Sequence, residues 1–153
     1  TAVVGFLHAA PDGWSATFAA GGHPLPLLVR DGRATTVARP GTLLGVLDVV
    51  RHHDVEVRLR PGDHLVLYTD GVDEARRDGD VYGTQRLLST IGAVADPDLP
   101  AQDLADRILG DVTGFQDGPS RDDIAIVVLK PLPTDAPDQP ADGSDAHGTP
   151  PGP

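Results

Sequence analysis

Two short acidic segments of the sequence have the residue types that a metal-dependent hydrolase uses. Asp70 directly follows an apolar run and is followed by Gly71, and Asp122-Asp123 directly precedes a second apolar run. Carboxylates at strand ends are held by the sheet and open to solvent, which suits oxygen-preferring cations such as Mg²⁺ or Mn²⁺. The ordinary alternative is that Asp-Gly forms a turn and the other aspartates are solvated loop residues. Spacing alone leaves both interpretations open.

The apolar runs beside these aspartates predict the strands that would position them. Residues 64–69 follow the turn signal Pro61-Gly62-Asp63 and are typical of a strand buried on both faces. Residues 124–129 are rich in β-branched side chains and predict a central strand. Residues 55–60 alternate apolar and polar, which predicts a half-buried strand. We therefore expect both acidic segments at the ends of sheet strands.

Two hairpins are expected before these strands. The first turns at Pro11-Asp12-Gly13 and the second at Asp31-Gly32, which suits a type I′ turn because both central residues take positive φ. The four predicted strands cover residues 2–8, 15–20, 26–30 and 34–38.

Helical spacing replaces the strand pattern beyond residue 69. A first helix is expected from about Thr84 to Ile91 and a second after Pro100. The apolar residues of the second recur every three or four positions and would form one buried face: Leu104, Ile108, Val112 and Phe115. Many strands, two helices and one returning strand predict an α+β fold, a layered β-sandwich flanked by helices.

The overall composition excludes several kinds of partner and site. The 153 residues include 12 Lys and Arg against 23 Asp and Glu, and the net charge of −11 argues against binding nucleic acid or an anionic membrane surface. Without cysteine there is no disulfide, thiolate zinc site or cysteine nucleophile. No apolar run approaches the roughly 20 residues of a membrane helix. We expect a cytoplasmic chain, and a membrane tether upstream in a full-length protein is compatible with this sequence.

The composition changes sharply after residue 130. Residues 1–130 have the periodicity of one domain, whereas residues 131–153 contain seven prolines and four aspartates. Such a segment buries too little apolar surface to offset the entropy of ordering it, so we expect a disordered acidic tail. The chain begins at Thr1 without a methionine and enters an apolar stretch at once, which indicates a domain truncated at its N-terminus.

Five segments within residues 1–130 share the motifs of one enzyme family, in order and at the expected separations. They are Ala20-Gly21-Gly22-His23-Pro24, Gly41-Thr42-Leu43-Leu44-Gly45, Leu67-Tyr68-Thr69-Asp70-Gly71, Tyr82-Gly83-Thr84-Gln85-Arg86-Leu87 and Arg121-Asp122-Asp123-Ile124-Ala125. Together they resemble the PPM-type serine/threonine phosphatases of the SpoIIE and RsbU kind. Each segment alone is a weak signal, whereas five in order are a strong one.

The resemblance implies a two-metal centre where strand ends of a β-sandwich converge. In that family two Mn²⁺ or Mg²⁺ ions hold a bridging water that attacks phosphoserine or phosphothreonine. By position, Asp70 and Asp122 match metal ligands, Gly71 serves the tight turn beside the ions, and Asp123 at most supports the ligands. No catalytic group beyond the metal-bound water is implied.

The sequence departs from the family pattern in two ways that bear on the site. The family's first metal motif, Asp-x-x-Gly-x-Gly, has no match, since Asp12-Gly13 lacks the following glycines. The chain is therefore expected to begin after the first ligand. Asp73 replaces a common threonine, and we expect it to face solvent rather than to alter metal occupancy.

Three other polar positions have less specific interpretations. His64 opens a strand and is expected to be exposed, and His23 is expected to pack and form hydrogen bonds rather than act as an acid. Arg76-Arg77 lies beside the acidic site. It either contacts a substrate phosphate or, as is commoner in an acidic protein, neutralises neighbouring carboxylates.

These observations favour metal-dependent hydrolysis of phosphoserine or phosphothreonine on a regulatory protein. The resemblance implies a substrate of the anti-sigma-factor-antagonist type and a sensory domain upstream. One alternative is a non-catalytic pseudo-phosphatase that keeps the fold and binds a regulatory partner, and another is a calcium-binding β-domain. The sequence upstream of Thr1 distinguishes the enzyme from the pseudo-phosphatase. The first metal motif there would support the enzyme, and its absence would support the pseudo-phosphatase. We expect the isolated fragment to be inactive.

Overall fold

The elements along the chain are mainly strands, then helices, then one returning strand. A computed structural model describes residues 1–118 and 122–132. The elements in this part of the chain are β1 (Ala2–Ala10), β2 (Gly13–Gly21), β3 (Leu27–Arg30), β4 (Arg33–Thr36), β5 (Val55–Leu59), β6 (His64–Tyr68), α1 (Asp70–Asp73), β7 (Arg76–Arg77), β8 (Asp80–Val81), α2 (Gly83–Val94), α3 (Ala101–Phe115) and β9 (Ile126–Leu129).

The strands form two larger sheets and one short hairpin. The first sheet has the order β1-β2-β5 and the second the order β4-β3-β6-β9, and all neighbouring strands in both are antiparallel. Within residues 1–118 and 122–132, strands β7 and β8 pair only with each other. The turn between β3 and β4 has positive φ at Asp31 (50°) and Gly32 (69°), as the type I′ prediction requires.

The second sheet is the middle of three layers because both of its faces are covered. On one face Leu28 and Leu65 pack with Phe18 and Leu59 from the first sheet. On the other face Val66 packs in the cluster that contains the buried residues of the helices. Strand β6 is therefore buried on both faces, as predicted. The predicted helical face is also confirmed, since Leu104, Ile108, Val112 and Phe115 are all buried. This is the layered α+β sandwich that the sequence predicted.

The prediction of a central strand at residues 124–129 is wrong. In the described part of the chain, β9 pairs only with β6 and lies at the edge of its sheet. Its side chains alternate: Val128 packs towards the helices, whereas Val127 is 53% exposed. Val127 lies opposite Leu67, so it shares the face that looks towards the first sheet. An apolar run predicts burial on both faces, but the three described strands of the first sheet do not extend over β9.

His64 is buried, contrary to the sequence-based expectation that it would be exposed. Only 1% of its surface is accessible, and Nε2 lies 2.7 Å from the carbonyl oxygen of Leu99. Lys130 Nζ donates to the same carbonyl at 3.0 Å. The connection between α2 and α3 folds over the start of β6. This contact is 35 residues distant in sequence, so the position of His64 at the start of a strand could not reveal it.

Both ends of the described chain carry apolar residues whose surroundings differ. At the start, Val4 and Phe6 on β1 are exposed, Phe6 to 72%. At the end, Pro131 is buried and the Leu132 carbonyl accepts a hydrogen bond from Trp14 Nε1 at 3.2 Å. The rest of the predicted tail, residues 133–153, lies outside the described residues. Among those that are described, no helix is both long and apolar enough to cross a bilayer.

Candidate metal centre

Asp70 lies where β6 ends and the single turn of α1 begins. The turn is closed by backbone hydrogen bonds from Val72 N to Thr69 O at 3.0 Å and from Glu74 N to Asp70 O at 2.8 Å. Asp70 is half-buried, because its neighbours Gly71 and Val72 face the interior. The strand therefore holds the backbone of Asp70, while the residue remains partly accessible to solvent.

Thr69 joins this strand end to the segment that precedes β9. Its backbone N–H donates to Ala125 O at 3.0 Å, and its hydroxyl donates to Asp123 O at 2.8 Å and accepts from Ala125 N at 2.9 Å. The sequence alone indicates no separate role for Thr69. No periodicity could have shown one, because its partners are more than 50 residues away. The three bonds continue the β6–β9 pairing beyond Tyr68 and Ile126 and align the two acidic segments.

Gly71 lies against the backbone of the second acidic segment. A Cβ at this position would be 2.6 Å from Asp123 O and 3.3 Å from the carbonyl carbon of Asp122, so a side chain does not fit. The family resemblance implies that Gly71 serves the tight turn beside the ions. The close approach in the structure is to the backbone of Asp122 and Asp123. The segments of Asp70 and Asp122 are thus in direct contact.

Asp122 and Asp123 are exposed and form a local turn. The backbone N–H of Asp123 donates to Asp122 Oδ1 at 2.9 Å, which orients the Asp122 carboxylate. Across residues 1–118 and 122–132, no three His, Asp or Glu side chains come together as a metal site. Carboxylate oxygens are the donors that Mg²⁺ and Mn²⁺ prefer, so the described donors fit such an ion in kind. In number they supply only part of the six-oxygen shell of Mg²⁺.

Asp73 does not simply face solvent, as the sequence analysis expected. It is half-buried at the end of α1 and accepts a hydrogen bond from Thr84 Oγ1 at 3.1 Å. Burial raises the pKa of Asp73, the hydrogen bond from Thr84 opposes this rise, and the charges of Glu74 and Asp70 add to it. Asp73 also lines a cavity of about 230 Å³ with Tyr68 and His23. The helix start at Thr84 folds back onto α1, a contact that the local pattern did not predict.

Two aromatic groups near the site are held neutral. Burial, followed by the charge of Asp73, raises the pKa of Tyr68 to about 12. Burial and the hydrogen bond to Asp111 raise the pKa of Tyr82 to about 12 as well.

His23 forms a contact of 3.2 Å between Nδ1 and the hydroxyl of Thr1, in agreement with its expected hydrogen-bonding role.

Arg76 and Arg77 do not neutralise neighbouring carboxylates, which is the commoner role of such a pair in an acidic protein. In the part of the chain that the structure describes, neither forms an ion pair within 4.0 Å. The guanidinium carbon of Arg77 instead lies 4.7 Å from the ring centroid of Phe115. The pair of arginines forms β7, which directly follows α1 and its Asp70.

Solved structures similar to this chain include phosphatase domains. The phosphatase domain of the cell fate determinant SpoIIE from Bacillus subtilis, presoaked with Mn, matches with a TM-score of 0.64 and 18% identity over 84% of this chain and 56% of that chain. The SiaA-PP2C domain of Pseudomonas aeruginosa matches with a TM-score of 0.62 and 25% identity over 76% and 46%. The RsbU and RsbW domains of a Mycobacterium tuberculosis protein match with a TM-score of 0.56 and 22% identity over 79% and 33%. This chain spans little more than half of the SpoIIE domain.

A family model agrees with these structural matches. No curated protein matches the sequence. The model described as Stage II sporulation protein E (SpoIIE) matches residues 1–131, a range that contains all five motif segments and both candidate ligands. The expected family and the expected fold are therefore confirmed, and the chain belongs to the SpoIIE family of PPM-type (PP2C) phosphatase domains.

Proposed function

We propose that this chain contributes Asp70 and Asp122 to a divalent-metal centre that hydrolyses phosphoserine or phosphothreonine on a regulatory protein. The observation that carries the proposal is the packing of Gly71 against the backbone of Asp122 and Asp123. This packing brings together two carboxylate-bearing segments that are 52 positions apart in the sequence. Asp123 supports the pair, because its N–H holds the Asp122 carboxylate.

The residues of this chain would hold and orient the metal ions, and the ions would supply the chemistry. When bound, Mn²⁺ or Mg²⁺ ions provide an activated water and neutralise the phosphoryl oxygens. Asp70 would hold an ion from the end of β6, and Asp122 would do so from the adjoining segment. Thr69 keeps the two segments in register through its bonds to Asp123 and Ala125. We propose that the remaining oxygen ligands of a two-ion centre come from residues outside this chain.

The proposed substrate is a phosphorylated protein of the anti-sigma-factor-antagonist type. This choice is supported by the resemblance to RsbU-type phosphatases and not by a particular residue of this chain. The net charge of −11 is compatible with a protein partner and unfavourable for nucleic acid. A cytoplasmic location and an upstream sensory domain belong to the same proposal.

Substitution of the two candidate ligands tests the proposal in the full-length protein. Asp70→Asn and Asp122→Asn each remove a metal-binding charge without removing volume, so we expect turnover of a phosphoserine peptide to be lost while the circular dichroism spectrum is unchanged. Asp123→Asn should have a milder effect. Asp103→Asn, on the exposed face of α3, is the matched control and should leave turnover unchanged. Near-normal turnover by either ligand variant at limiting Mn²⁺ would show that the site is assigned wrongly.

One further result would favour another function, and a second would show that no ligands from outside this chain are needed. If the wild-type full-length protein binds its partner but hydrolyses no phosphopeptide with Mn²⁺ or Mg²⁺, the chain belongs to a pseudo-phosphatase. The isolated 153-residue chain should show no turnover even at millimolar Mn²⁺, because the carboxylates of residues 1–118 and 122–132 do not by themselves form a complete metal centre. Calorimetric titration of that chain with Mn²⁺ should show weak binding. Tight binding of two ions with turnover would contradict the need for further ligands.

A further inference from the structure

Arg77 and Arg86 meet at the ring of Phe115, and Arg76 directly precedes Arg77 in the sequence. Arg76 and Arg77 form β7, and Arg86 lies in the first half of α2. The guanidinium carbons of Arg77 and Arg86 lie 4.7 and 4.6 Å from the ring centroid of Phe115, so they are at most 9.3 Å apart. We call Arg76, Arg77 and Arg86 the arginine cluster.

The aromatic ring holds two of these arginines in place. Phe115 is only 5% exposed, and Tyr82 packs against it edge to face, with ring centroids 5.5 Å apart and planes at 71°. Arg86 also lies over the Tyr82 ring at 5.2 Å. A guanidinium on an aromatic face keeps its charge and its edge of N–H donors. The stacking therefore orders the side chains of Arg77 and Arg86 before any ligand arrives.

The hydrogen-bond donors of the cluster are largely unused within the described residues. The ion pair of Arg86 runs from Nε to Asp111 at 3.6 Å. That carboxylate already accepts from Tyr82 Oη at 2.6 Å and from Thr90 Oγ1 at 3.0 Å. Asp80 lies opposite Arg77 in the hairpin but forms no ion pair with it, and Arg76 and Arg77 are both exposed. The terminal guanidinium nitrogens of the cluster can therefore bind an external anion.

The backbone connects the arginine cluster closely to both acidic segments. Arg76 follows Asp70 by six positions, and Arg76 O accepts from Asp117 N at 3.4 Å. That bond ties β7 to the segment that leads to Asp122. Asp70, Asp73 and Glu74 closely precede Arg76 in the sequence, and their charges, like the net charge of −11, repel anions. Within residues 1–118 and 122–132, the arginine cluster supplies positive charge that can attract an acidic ligand.

We propose that the arginine cluster docks an acidic segment of the phosphorylated protein substrate, next to the residue that is dephosphorylated. The proposal rests on the proposed function and adds the charge of the substrate to it. Guanidinium groups pair with carboxylates through two parallel hydrogen bonds, so Asp and Glu side chains suit the cluster. The cluster thus provides specificity, while Asp70 and Asp122 serve the chemistry.

Two phosphoserine peptides of equal length test the inference in the full-length protein. One carries four glutamates beside the phosphoserine and the other four glutamines. We expect kcat/KM for the acidic peptide to be at least tenfold higher, and the advantage to shrink as salt rises because the Debye length falls. Arg76→Glu/Arg77→Glu should abolish the advantage, and Arg76→Gln/Arg77→Gln is the milder pair if the charge reversal impairs folding.

A matched control separates local docking from overall charge. Arg33→Glu/Arg60→Glu changes the net charge equally, but both residues lie at the His64 end of the second sheet, away from Asp70. This control should keep the full advantage of the acidic peptide. Equal kcat/KM values for both peptides, or equal loss in the control, would overturn the inference.

Hydrolysis of a small aryl phosphate reports on the proposed function separately. If the wild-type protein hydrolyses it without preferring the acidic peptide, the docking inference fails and the proposed function stands. If nothing is hydrolysed, the proposed function fails, and fluorescence anisotropy with the same two labelled peptides decides the docking. At least tenfold tighter binding of the acidic peptide, abolished by Arg76→Glu/Arg77→Glu, supports the inference in that case. Equal binding refutes it.

Discussion

Gly71→Ala perturbs the contact that brings the two acidic segments together. The new Cβ would lie 2.6 Å from the Asp123 carbonyl oxygen, whereas ordinary contact begins at 3.4 Å, so the two segments must separate by about 0.8 Å. The same carbonyl oxygen accepts the Thr69 hydroxyl at 2.8 Å. A separation of this size disrupts that hydrogen bond and moves the backbone of Asp123 away from Asp70.

The expected cost of Gly71→Ala is about 2 kcal/mol in the free energy of unfolding. Inserting a methyl group into a packed site costs about 1–3 kcal/mol, and losing one hydrogen bond adds about 1 kcal/mol. Alanine recovers about 0.5–1 kcal/mol relative to glycine in a helix. The steric term dominates because the obstructing atoms belong to the backbone and not to a flexible side chain.

Urea unfolding followed by circular dichroism measures this cost, and Gly110→Ala is the matched control. Gly110 lies in α3, and apart from the nearby backbone of its own helix no atom lies within 4 Å of its Cβ position, so alanine there should stabilise the protein by about 0.5–1 kcal/mol. Gly71→Ala should also weaken Mn²⁺ binding in the full-length protein, while Gly110→Ala leaves it unchanged. If the two variants behave alike in both measurements, the close approach at Gly71 does not position the site.

Three further substitutions, one of them with a matched control, probe the pH dependence, the core and the exposed strand. The Tyr82 hydroxyl holds the pKa of Asp111 below its usual range, so Tyr82→Phe should raise that pKa in an NMR titration. A carboxyl group whose pKa is lower in the folded state than in the unfolded state stabilises the fold at pH values above the unfolded-state pKa. This stabilisation is lost as pH falls through the folded-state pKa, so the difference in the free energy of unfolding between wild type and Tyr82→Phe should become smaller in acid. Leu104→Ala, fully buried, should cost about 2–5 kcal/mol in urea unfolding, whereas Leu109→Ala, 41% exposed, should cost about 0.5 kcal/mol or less. Phe6→Lys should reduce self-association in light scattering, because Phe6 is exposed on the edge strand β1.

Local patterns predicted most of the fold. The spacing of Leu104, Ile108 and Val112 defines one helical face, and Asp31-Gly32 suits only a few turn types, so neighbouring residues suffice to specify both. The five motif segments identified the family, and with it the arrangement of the layers. The prediction that Asp70 follows a strand is confirmed for the same reason, because an apolar run that ends at two polar residues, Thr69 and Asp70, is a local signal.

Features that depend on distant contacts were not predictable in this way. The buried state of His64 depends on Leu99, and the bonds of Thr69 depend on Asp123 and Ala125. Asp73 is half-buried because the start of α2 returns to it. In each case at least the β7–β8 hairpin lies between the residue and its deciding partner, and residue type does not show which distant segment will pack against it. The edge position of β9 is a similar case, because it depends on how far the other sheet extends.

The pairing of β6 with β9 makes the assembly of the site a late event in folding. Tyr68 and Ile126 pair across 58 positions, and closing a loop of that length costs about 3.6 kcal/mol in chain entropy before any contact is gained. Formation of α2 and α3 shortens this loop, so we expect the hairpins and helices to form before β9 docks. An edge strand is also the first to fray, and its opening would separate the segments of Asp70 and Asp122 while the rest of the fold persists. Ions bound at both segments would oppose that opening, and amide hydrogen exchange at residues 126–129 should slow when Mn²⁺ is added to the full-length protein.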